Sequence, residues 1–224
     1  DGEVFVETSG SNGGVVTGTS ITTANPTVEF ADVSIVSASD TIVEMISSSS
    51  SIGISAGRDI AVDRTVAGED VGLLATGAIS LGTVTAGDDI VATGASIFTG
   101  ALTATGTGRD DYVAVLAPGS VSFLQPETLP GADIVLTSTL AGVTANGAVT
   151  AASDVTVDSA TSSLLRNLTA TAGNVAVTAG SSALVVGDIV SGLDTTVAAG
   201  TQAAIERNVT AGGNYTVTGG TGVV

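Results

Sequence analysis

The stretch Ala56-Gly57-Arg58-Asp59-Ile60-Ala61-Val62 decides the fold, because its pattern returns along the whole chain. It joins a small residue, a glycine and an Asp or Asn to alternating apolar residues. The same pattern is still present at Ala211-Gly212-Gly213-Asn214-Tyr215-Thr216-Val217. From Asp70 to Asn214 the Asp or Asn recurs at successive steps of 19, 21, 23, 21, 20, 20 and 20 in the numbering. A repeat of this length, written in strand-forming residues, is typical of one coil of a solenoid.

The recurring Asp or Asn predicts a structural column at the turns between strands. Asx side chains cap their own turns and tolerate the backbone angles there, while the neighbouring glycine supplies a positive φ. Asp59 and Asp70 are only 11 apart, so either two turn signals fall within one coil or one coil is shortened. The predicted turn column is Asp59, Asp70, Asp89, Asp110, Asp133, Asp154, Asn174, Asp194 and Asn214.

Apolar residues keep fixed distances from that column. Positions one and three after the Asx face the same side of a strand, and they predict the inward face of one sheet. The positions three after it hold Val62, Leu73, Ala92, Val113, Leu136, Val157, Val177, Val197 and Val217. A second column, five before the Asx, holds Ile35, Ile54, Val84, Val149, Ile189 and Val209, with Leu168 one position off. A third column holds Leu165, Val185 and Ile205. Two or three short strands per coil, separated by glycine turns, predict an all-β parallel β-helix of about 20 residues per coil.

A uniform repeat predicts a single solenoid body over residues 1–224. Residues 1–45 form its less regular start. The segment 118–130 holds three of the four prolines and is interpreted as a protruding loop, because proline cannot donate in a central ladder. Neither end of the sequence resembles a cap, and no initiator Met or leader precedes the repeats. We therefore expect a section of a longer rod, or a subunit that stacks end to end.

Composition narrows the function classes. The chain has 22 acidic residues, five Arg, no Lys, no His and a net charge of −17, which argues against nucleic acid and anionic membranes as partners. It has no Cys, so disulfides and thiol chemistry are excluded. No apolar run approaches the roughly 18 residues that cross a bilayer. The acidic surface favours solubility and attracts divalent cations.

Three short stretches carry a family resemblance: Ala-Gly-Asn-Val-Ala-Val-Thr-Ala-Gly at 172–180, Ala-Gly-Arg-Asp-Ile-Ala-Val at 56–62 and Ala-Gly-Gly-Asn-Tyr-Thr-Val-Thr at 211–218. Over roughly residues 50–224 the chain resembles the filamentous-haemagglutinin-type repeats of large bacterial exoproteins, namely two-partner secreted adhesins and repeat-rich autotransporters. This resemblance implies a right-handed parallel β-helix outside a Gram-negative cell, used in adhesion, biofilm formation or contact-dependent delivery. The resemblance carries no binding residues, since the repeat motif is structural.

Four acidic residues are weak candidates for a metal site. Asp88 and Asp89 lie about one coil from Asp110 and Asp111, and stacked carboxylates attract a divalent cation such as calcium. Calcium requires six to eight oxygen ligands, and the repeating glycine-rich calcium pattern is approached only once, at 105–110. We therefore predict a structural role for the column and no resident cofactor, with a calcium ion as the alternative.

Enzymatic and ice-binding functions receive little support. Asp110 and Asp111 are adjacent, so as strand residues they would face opposite sides, and the chain has no His or Lys to serve as a base. The Thr-x-Thr pairs at 83/85, 103/105, 169/171 and 216/218 are out of register with one another. The three Asn-x-Thr triplets, at Asn167, Asn208 and Asn214, match the glycan acceptor pattern but are expected by chance in a Thr-rich chain.

These observations predict a non-enzymatic structural or adhesive protein at the bacterial cell surface or outside the cell. Its expected partners are flanking coils of a longer chain, further copies of itself end to end, or the surface of a host or neighbouring cell. We expect no nucleic acid partner and no membrane insertion. The alternative is a self-assembling filament or surface-layer subunit, stabilised by calcium.

Overall fold

The computed structural model describes residues 3–8, 14–23, 32–105, 112–123, 127–129 and 133–224, and every regular element in these ranges is a β-strand. None of the described residues forms a helix long and apolar enough to cross a membrane. In chain order the strands are β1 (Val4–Thr8), β2 (Val16–Thr22), β3 (Val33–Ser37), β4 (Thr41–Ser48), β5 (Ile52–Ala56), β6 (Ile60–Ala67), β7 (Val71–Ala75), β8 (Ala78–Ala86), β9 (Ile90–Thr93), β10 (Ser96–Ala104), β11 (Tyr112–Ala117), β12 (Val121–Phe123), β13 (Glu127–Leu129), β14 (Asp133–Ser138), β15 (Val143–Ala145), β16 (Val149–Ala151), β17 (Val155–Ser159), β18 (Ser163–Leu165), β19 (Leu168–Ala170), β20 (Val175–Ala179), β21 (Ser182–Val185), β22 (Ile189–Ser191), β23 (Thr195–Ala199), β24 (Gln202–Ile205), β25 (Val209–Ala211), β26 (Tyr215–Gly219) and β27 (Gly222–Val223).

Successive strands of the chain belong to different sheets, as a coiling chain requires. The first sheet has the order β1-β3-β5-β7-β9-β11-β14-β17-β20-β23-β26, and the second β2-β4-β6-β8-β10-β12-β15-β18-β21-β24-β27. A third sheet, β13-β16-β19-β22-β25, accompanies only the later coils among the described residues. Neighbouring strands run parallel, for example β17 beside β20 and β21 beside β24. The predicted all-β solenoid of parallel strands is therefore confirmed.

The length of a coil changes along the solenoid. In the first sheet Val33 pairs with Ile52, Ile52 with Val71 and Val71 with Ile90, and each of these steps is 19 in the numbering. The step from Ile90 to Val113 is 23. Two steps of 21 follow, and the last three steps are 20. Pairing already begins with Val4 opposite Val33, so the stack extends into the segment that was expected to be less regular.

The interior is filled by aliphatic side chains from alternating strand positions. In β17, for example, Val155, Val157 and Ser159 are buried while Thr156 and Asp158 face outward. This alternation is the period-two pattern of a half-buried strand, and it stacks equal residues on equal residues from coil to coil. The predicted apolar columns are buried except near the end of the described chain, where Tyr215 is exposed and Ile205, Val209 and Val217 are half-buried.

Several column assignments were wrong. Val62 lies on β6 of the second sheet, whereas Leu73 lies in the first sheet and pairs with Ile54. The column five before the Asx mixes three sheets, since Ile35 and Ile54 lie in the first, Val84 in the second, and Val149, Ile189 and Val209 in the third.

The drift in coil length caused two further errors. Val113 pairs with Ile90 and not with Ala92, whose partner is Val115. Leu168 is in register with both Val149 and Ile189 in the third sheet. The step from Val149 to Leu168 is 19 and the step from Leu168 to Ile189 is 21. Because the column was predicted from a constant spacing to the Asx, Leu168 seemed to lie one position off it.

Glycines at the turns are required by close stacking. A Cβ on Gly200 would overlap the carbonyl oxygen of Gly180 in the coil before, and a Cβ on Gly220 would overlap the carbonyl oxygen of Gly200. Neither glycine has a left-handed φ. The glycines beside the Asx column behave in the same way: Gly87 and Gly212 have no left-handed φ, and a Cβ there would overlap the carbonyl oxygens of Gly68 and Gly192. The prediction that glycine supplies a positive φ is therefore wrong at these two turns, where the lack of a side chain allows the backbones to approach.

Two short parts of the proline-rich segment are strands of the sheets. Val121–Phe123 pairs with β10 and β15, and Glu127–Leu129 pairs with β16. Pro118 lies in the turn after β11, where its carbonyl accepts the Leu140 N–H at 2.8 Å. The prediction of a protruding loop over 118–130 is therefore wrong for these strand residues, while 124–126 and 130 lie outside the described residues.

Candidate functional site

Side-chain hydrogen bonds connect successive coils at the turns that lead into the strands of the first sheet. We call this series of bonds a ladder, and each such line of turns a corner of the solenoid. At the position that precedes each strand, a side-chain oxygen accepts the backbone N–H of the equivalent residue in the next coil. The distances are 3.2 Å from Asp89 N to Asp70 Oδ1, 2.8 Å from Tyr112 N to Asp89 Oδ1, 2.9 Å from Asp154 N to Asp133 Oδ1, 2.5 Å from Asn174 N to Asp154 Oδ1, 3.1 Å from Asp194 N to Asn174 Oδ1 and 2.6 Å from Asn214 N to Asp194 Oδ1. Each side chain therefore caps the turn of the following coil rather than its own.

Two shorter ladders of the same kind lie at other corners. Before the second sheet, Asp40 Oδ1 accepts Asp59 N–H at 3.2 Å, and Asp59 Oδ1 accepts Ala78 N–H at 2.7 Å. Before the third sheet, Asn167 Oδ1 accepts Asp188 N–H at 2.9 Å, and Asp188 Oδ1 accepts Asn208 N–H at 3.2 Å. The turns of different corners thus use one device to pair backbone donors that the sheets leave unpaired.

One member of the predicted turn column needs correction, and another lies outside the described residues. Asp59 belongs to the second corner, and its place before the first sheet is taken by Ser51, whose N–H donates to Asp32 Oδ1 at 3.2 Å. The step of 11 therefore marks two turn signals within one coil. Ser51 Oγ in turn accepts the Asp70 N–H at 3.4 Å. One coil before Asp70, a serine therefore takes the role that Asp or Asn has in the later coils. Asp110 lies outside the described residues, and Tyr112 precedes the first-sheet residue Val113.

Charge in the ladders is diluted by asparagine. Asn174 stands between Asp154 and Asp194, and its Nδ2 donates to Asp154 Oδ1 at 3.1 Å. Asn208 Nδ2 points to Asp188 Oδ1 at 3.4 Å in the third-sheet ladder. A neutral amide between two carboxylates removes the like-charge repulsion that adjacent coils, about 4.8 Å apart, would otherwise have. The ladder oxygens are engaged by N–H donors, which is a structural use of these side chains.

Of the four weak candidates for a metal site, only Asp88 and Asp89 are among the described residues. Asp89 Oδ1 accepts the Tyr112 N–H, and Asp88 precedes it in the same turn. Asp110 and Asp111 lie outside the described residues. Among the residues that are described, no group of three or more acidic side chains is arranged to hold a metal ion. A calcium ion stays a hypothesis.

One pocket, half open to solvent and about 240 Å³ in volume, is lined mainly by polar and charged residues. It lies at the corner between the second and third sheets, where Arg166 and Arg207 flank Gly187 and Asp188 of the intervening coil. Elsewhere the Arg58 guanidinium lies 3.5 Å from Asp40 Oδ1 and 4.0 Å from Asp59 Oδ2, so this arginine offsets the negative charge of the ladder before the second sheet. Arg109 lies outside the described residues.

Threonine pairs do not form one array. Thr83 and Thr85 lie on β8, Thr169 on β19, and Thr216 and Thr218 on β26, which belong to the second, third and first sheets respectively. Only Thr85 and Thr103 are in register with each other. A flat ice-binding face needs one regular double column of threonines, so this arrangement keeps ice binding disfavoured.

The last described coil presents an open, partly apolar end. Tyr215, Val223 and Val224 are exposed, and Val217 and Val209 are half-buried, whereas the equivalent Val197 and Ile189 one coil earlier are fully buried. Among the described residues β25, β26 and β27 each pair with one neighbour only. Asn208 and Asn214 end their ladders here.

Comparisons with protein-family models, curated proteins and solved structures give no match to this chain. The resemblance to filamentous-haemagglutinin-type repeats therefore stays a prediction from the sequence.

Proposed function

We propose that this chain is a non-enzymatic structural section of a long extracellular rod, and that it acts through its surface in adhesion. The parallel stack supports this, because a solenoid grows by adding coils and has no fixed length. The ladders support it as well, since an Asx oxygen of one coil accepts an N–H of the following coil. The bacterial cell surface is the proposed location, in keeping with the Cys-free acidic composition.

The observation that carries the proposal is the regular stacking of parallel coils. From β14 to β26 the first-sheet strands pair at steps of 21 or 20, and side-chain hydrogen bonds join neighbouring coils at the turns. Because each coil contacts only its neighbours, a stack of this kind can have any length. Within the described chain it ends at β25, β26 and β27, each of which has one unpaired strand edge.

The surface chemistry favours binding over catalysis. The sequence has no His, Lys or Cys to serve as base or nucleophile, and the pocket at Arg166 and Arg207 is half open to solvent. Extended flat sheets with exposed Thr, Ser and aliphatic side chains suit contacts with another large surface. This is how a rod would contribute to adhesion.

The second candidate is a filament or surface-layer subunit that stacks end to end through the same edge. Parallel pairing favours it, because the β26 edge of one copy and the β1 edge of another would pair as neighbouring strands do within the chain. Calcium stabilisation belongs to this candidate, and a calcium-dependent rise in Tm would support it.

Negative-stain electron microscopy of the purified chain separates the two candidates. Short single rods indicate that flanking coils of a longer chain cover the edge, and long uniform fibres indicate end-to-end stacking. In the second case Val217→Lys, which places a charge in the exposed edge, should abolish the fibres. The matched control Thr218→Lys lies on the outward side of the same strand and should leave them intact. Fibres that persist in Val217→Lys would contradict a role for this edge.

A further inference from the structure

The outer face of the first sheet carries almost no charge over six consecutive coils. The exception is Asp133, the ladder residue with which β14 begins. On β3, β5, β7, β9, β11 and β14 the outward positions alternate with buried ones. Two outward positions on each strand form the middle of this face, and none of these twelve carries a charge, although the chain has a net charge of −17. They are Ser34, Val36, Gly53, Ser55, Gly72, Leu74, Val91, Thr93, Ala114, Leu116, Val135 and Thr137. We call this surface the flat face.

Large and small side chains alternate from coil to coil in one column of the flat face. Val36, Leu74 and Leu116 project at every second coil, with exposed fractions of 38%, 55% and 43%. The coils between them carry the smaller hydroxyl residues Ser55, Thr93 and Thr137 in the same register. The projecting residues are therefore about 9.6 Å apart, twice the strand spacing. Beside this column Gly53 and Gly72 face open space, which widens the hollow next to Leu74.

We propose that the flat face binds the flat face of a second copy of this chain, side by side and antiparallel. A two-fold axis midway between the coils of Leu74 and Thr93 maps each projecting residue onto a small one. It sets Leu74 opposite Thr93 of the second copy, Leu116 opposite Ser55 and Val36 opposite Thr137. A single surface that carries both projections and hollows at one period is self-complementary, which is the requirement of a two-fold interface.

The size of the flat face indicates a weak, concentration-dependent dimer. Strands of about five residues and six coils give a contact of roughly 17 by 29 Å, so the pair would bury about 1,000 Å² in total. This is near the lower limit for a specific interface. Two rods of charge −17 repel each other, and salt screens that repulsion. The dimer should therefore strengthen as salt is raised, opposite to an interface built on ion pairs.

Sedimentation velocity over a range of protein and salt concentrations tests this proposal. We expect a monomer–dimer equilibrium that stops at two copies and shifts toward dimer with salt. The double variant L74S/L116S should weaken dimerisation about tenfold or more, because both projecting side chains leave the contact. The matched control I42S/F98S removes two similarly exposed residues, 50% and 46%, from the outer face of the second sheet and should leave the dimer unchanged.

A third variant separates shape from general stickiness. Thr93→Leu makes the flat face more apolar but places a large residue where Leu74 of the second copy must fit, so it should weaken the dimer. Circular dichroism and thermal melting confirm that each variant remains folded. Tighter association of Thr93→Leu, equal loss in I42S/F98S, or a monomer at all salt concentrations would overturn the proposal. An open-ended series of oligomers would also overturn it, and would point to the end of the rod instead.

Discussion

Replacing Asp154 by alanine is the sharpest test of the turn ladders. Asp154 Oδ1 accepts two donors from the next coil, the Asn174 N–H at 2.5 Å and Asn174 Nδ2 at 3.1 Å. Alanine removes the acceptor and leaves the half-buried Asn174 amide without its partner. Hydrogen bonds to charged acceptors contribute about 1.5–3 kcal/mol, so we expect the free energy of unfolding to fall by about 2 kcal/mol.

The chain offers a matched control on the strand that follows. Asp158 lies on the same coil but faces outward and is exposed on β17. Asp158→Ala removes the same charge and the same number of atoms, and should change the free energy of unfolding by less than about 0.5 kcal/mol. Because both variants relieve the net charge equally, the difference between them reports the ladder alone.

Asp154→Asn refines the result. The amide keeps an oxygen that accepts the Asn174 N–H, as Asn174 itself does for Asp194 at 3.1 Å. We expect a loss smaller than half that of alanine. Urea unfolding followed by circular dichroism measures all three variants, and an unchanged m-value shows that the solenoid still unfolds as one unit. Equal stabilities of Asp154→Ala and Asp158→Ala would refute the assignment of the ladder as a stabilising device.

Three further predictions concern the interior, the turns and the rod end. The Thr65 hydroxyl is buried without a hydrogen-bond partner among the described residues, so Thr65→Val should raise the free energy of unfolding by about 1 kcal/mol in urea, whereas the outward Thr178→Val should not. Gly200→Ala forces a Cβ against the Gly180 carbonyl and should cost about 1–3 kcal/mol, while Gly53→Ala, which faces open space, should be nearly neutral in the same assay. Val157→Ala leaves a cavity in the buried column and should cost about 1–3 kcal/mol, whereas Val217→Ala at the open end should cost less than half of that.

The sequence was sufficient for the fold because equal residues stack on equal residues. Columns such as Val157, Val177 and Val197 show in the sequence what their pairing shows in space. The errors occurred where coil length changes. Asp59 resembles Asp70 in local sequence, and only the pairing of Ile52 with Val71 shows that the two belong to different corners.

The functional surfaces were harder to predict than the fold. Leu74 and Leu116 are two coils apart in the chain, and no local pattern shows that they project from alternate coils of one face. The role of the turn glycines was also misjudged, because close approach of Gly200 to the Gly180 carbonyl is a contact between coils. Both features depend on the register between coils, whose step drifts from 19 to 23, then to 21 and 20.

The most direct test of the extendable rod adds one coil to its open end. Val224 pairs in register with Ala204, since its N–H donates to the Ala203 carbonyl and its carbonyl accepts the Ile205 N–H. A copy of residues 185–204 appended after Val224 therefore continues the stack, and a scrambled copy serves as control. Hydrogen–deuterium exchange of Tyr215–Gly219 is the measurement. We predict that these amides become protected only with the ordered coil, because its strand covers their free edge. Exchange as fast as in the scrambled control would contradict the claim that a coil added in register extends the stack.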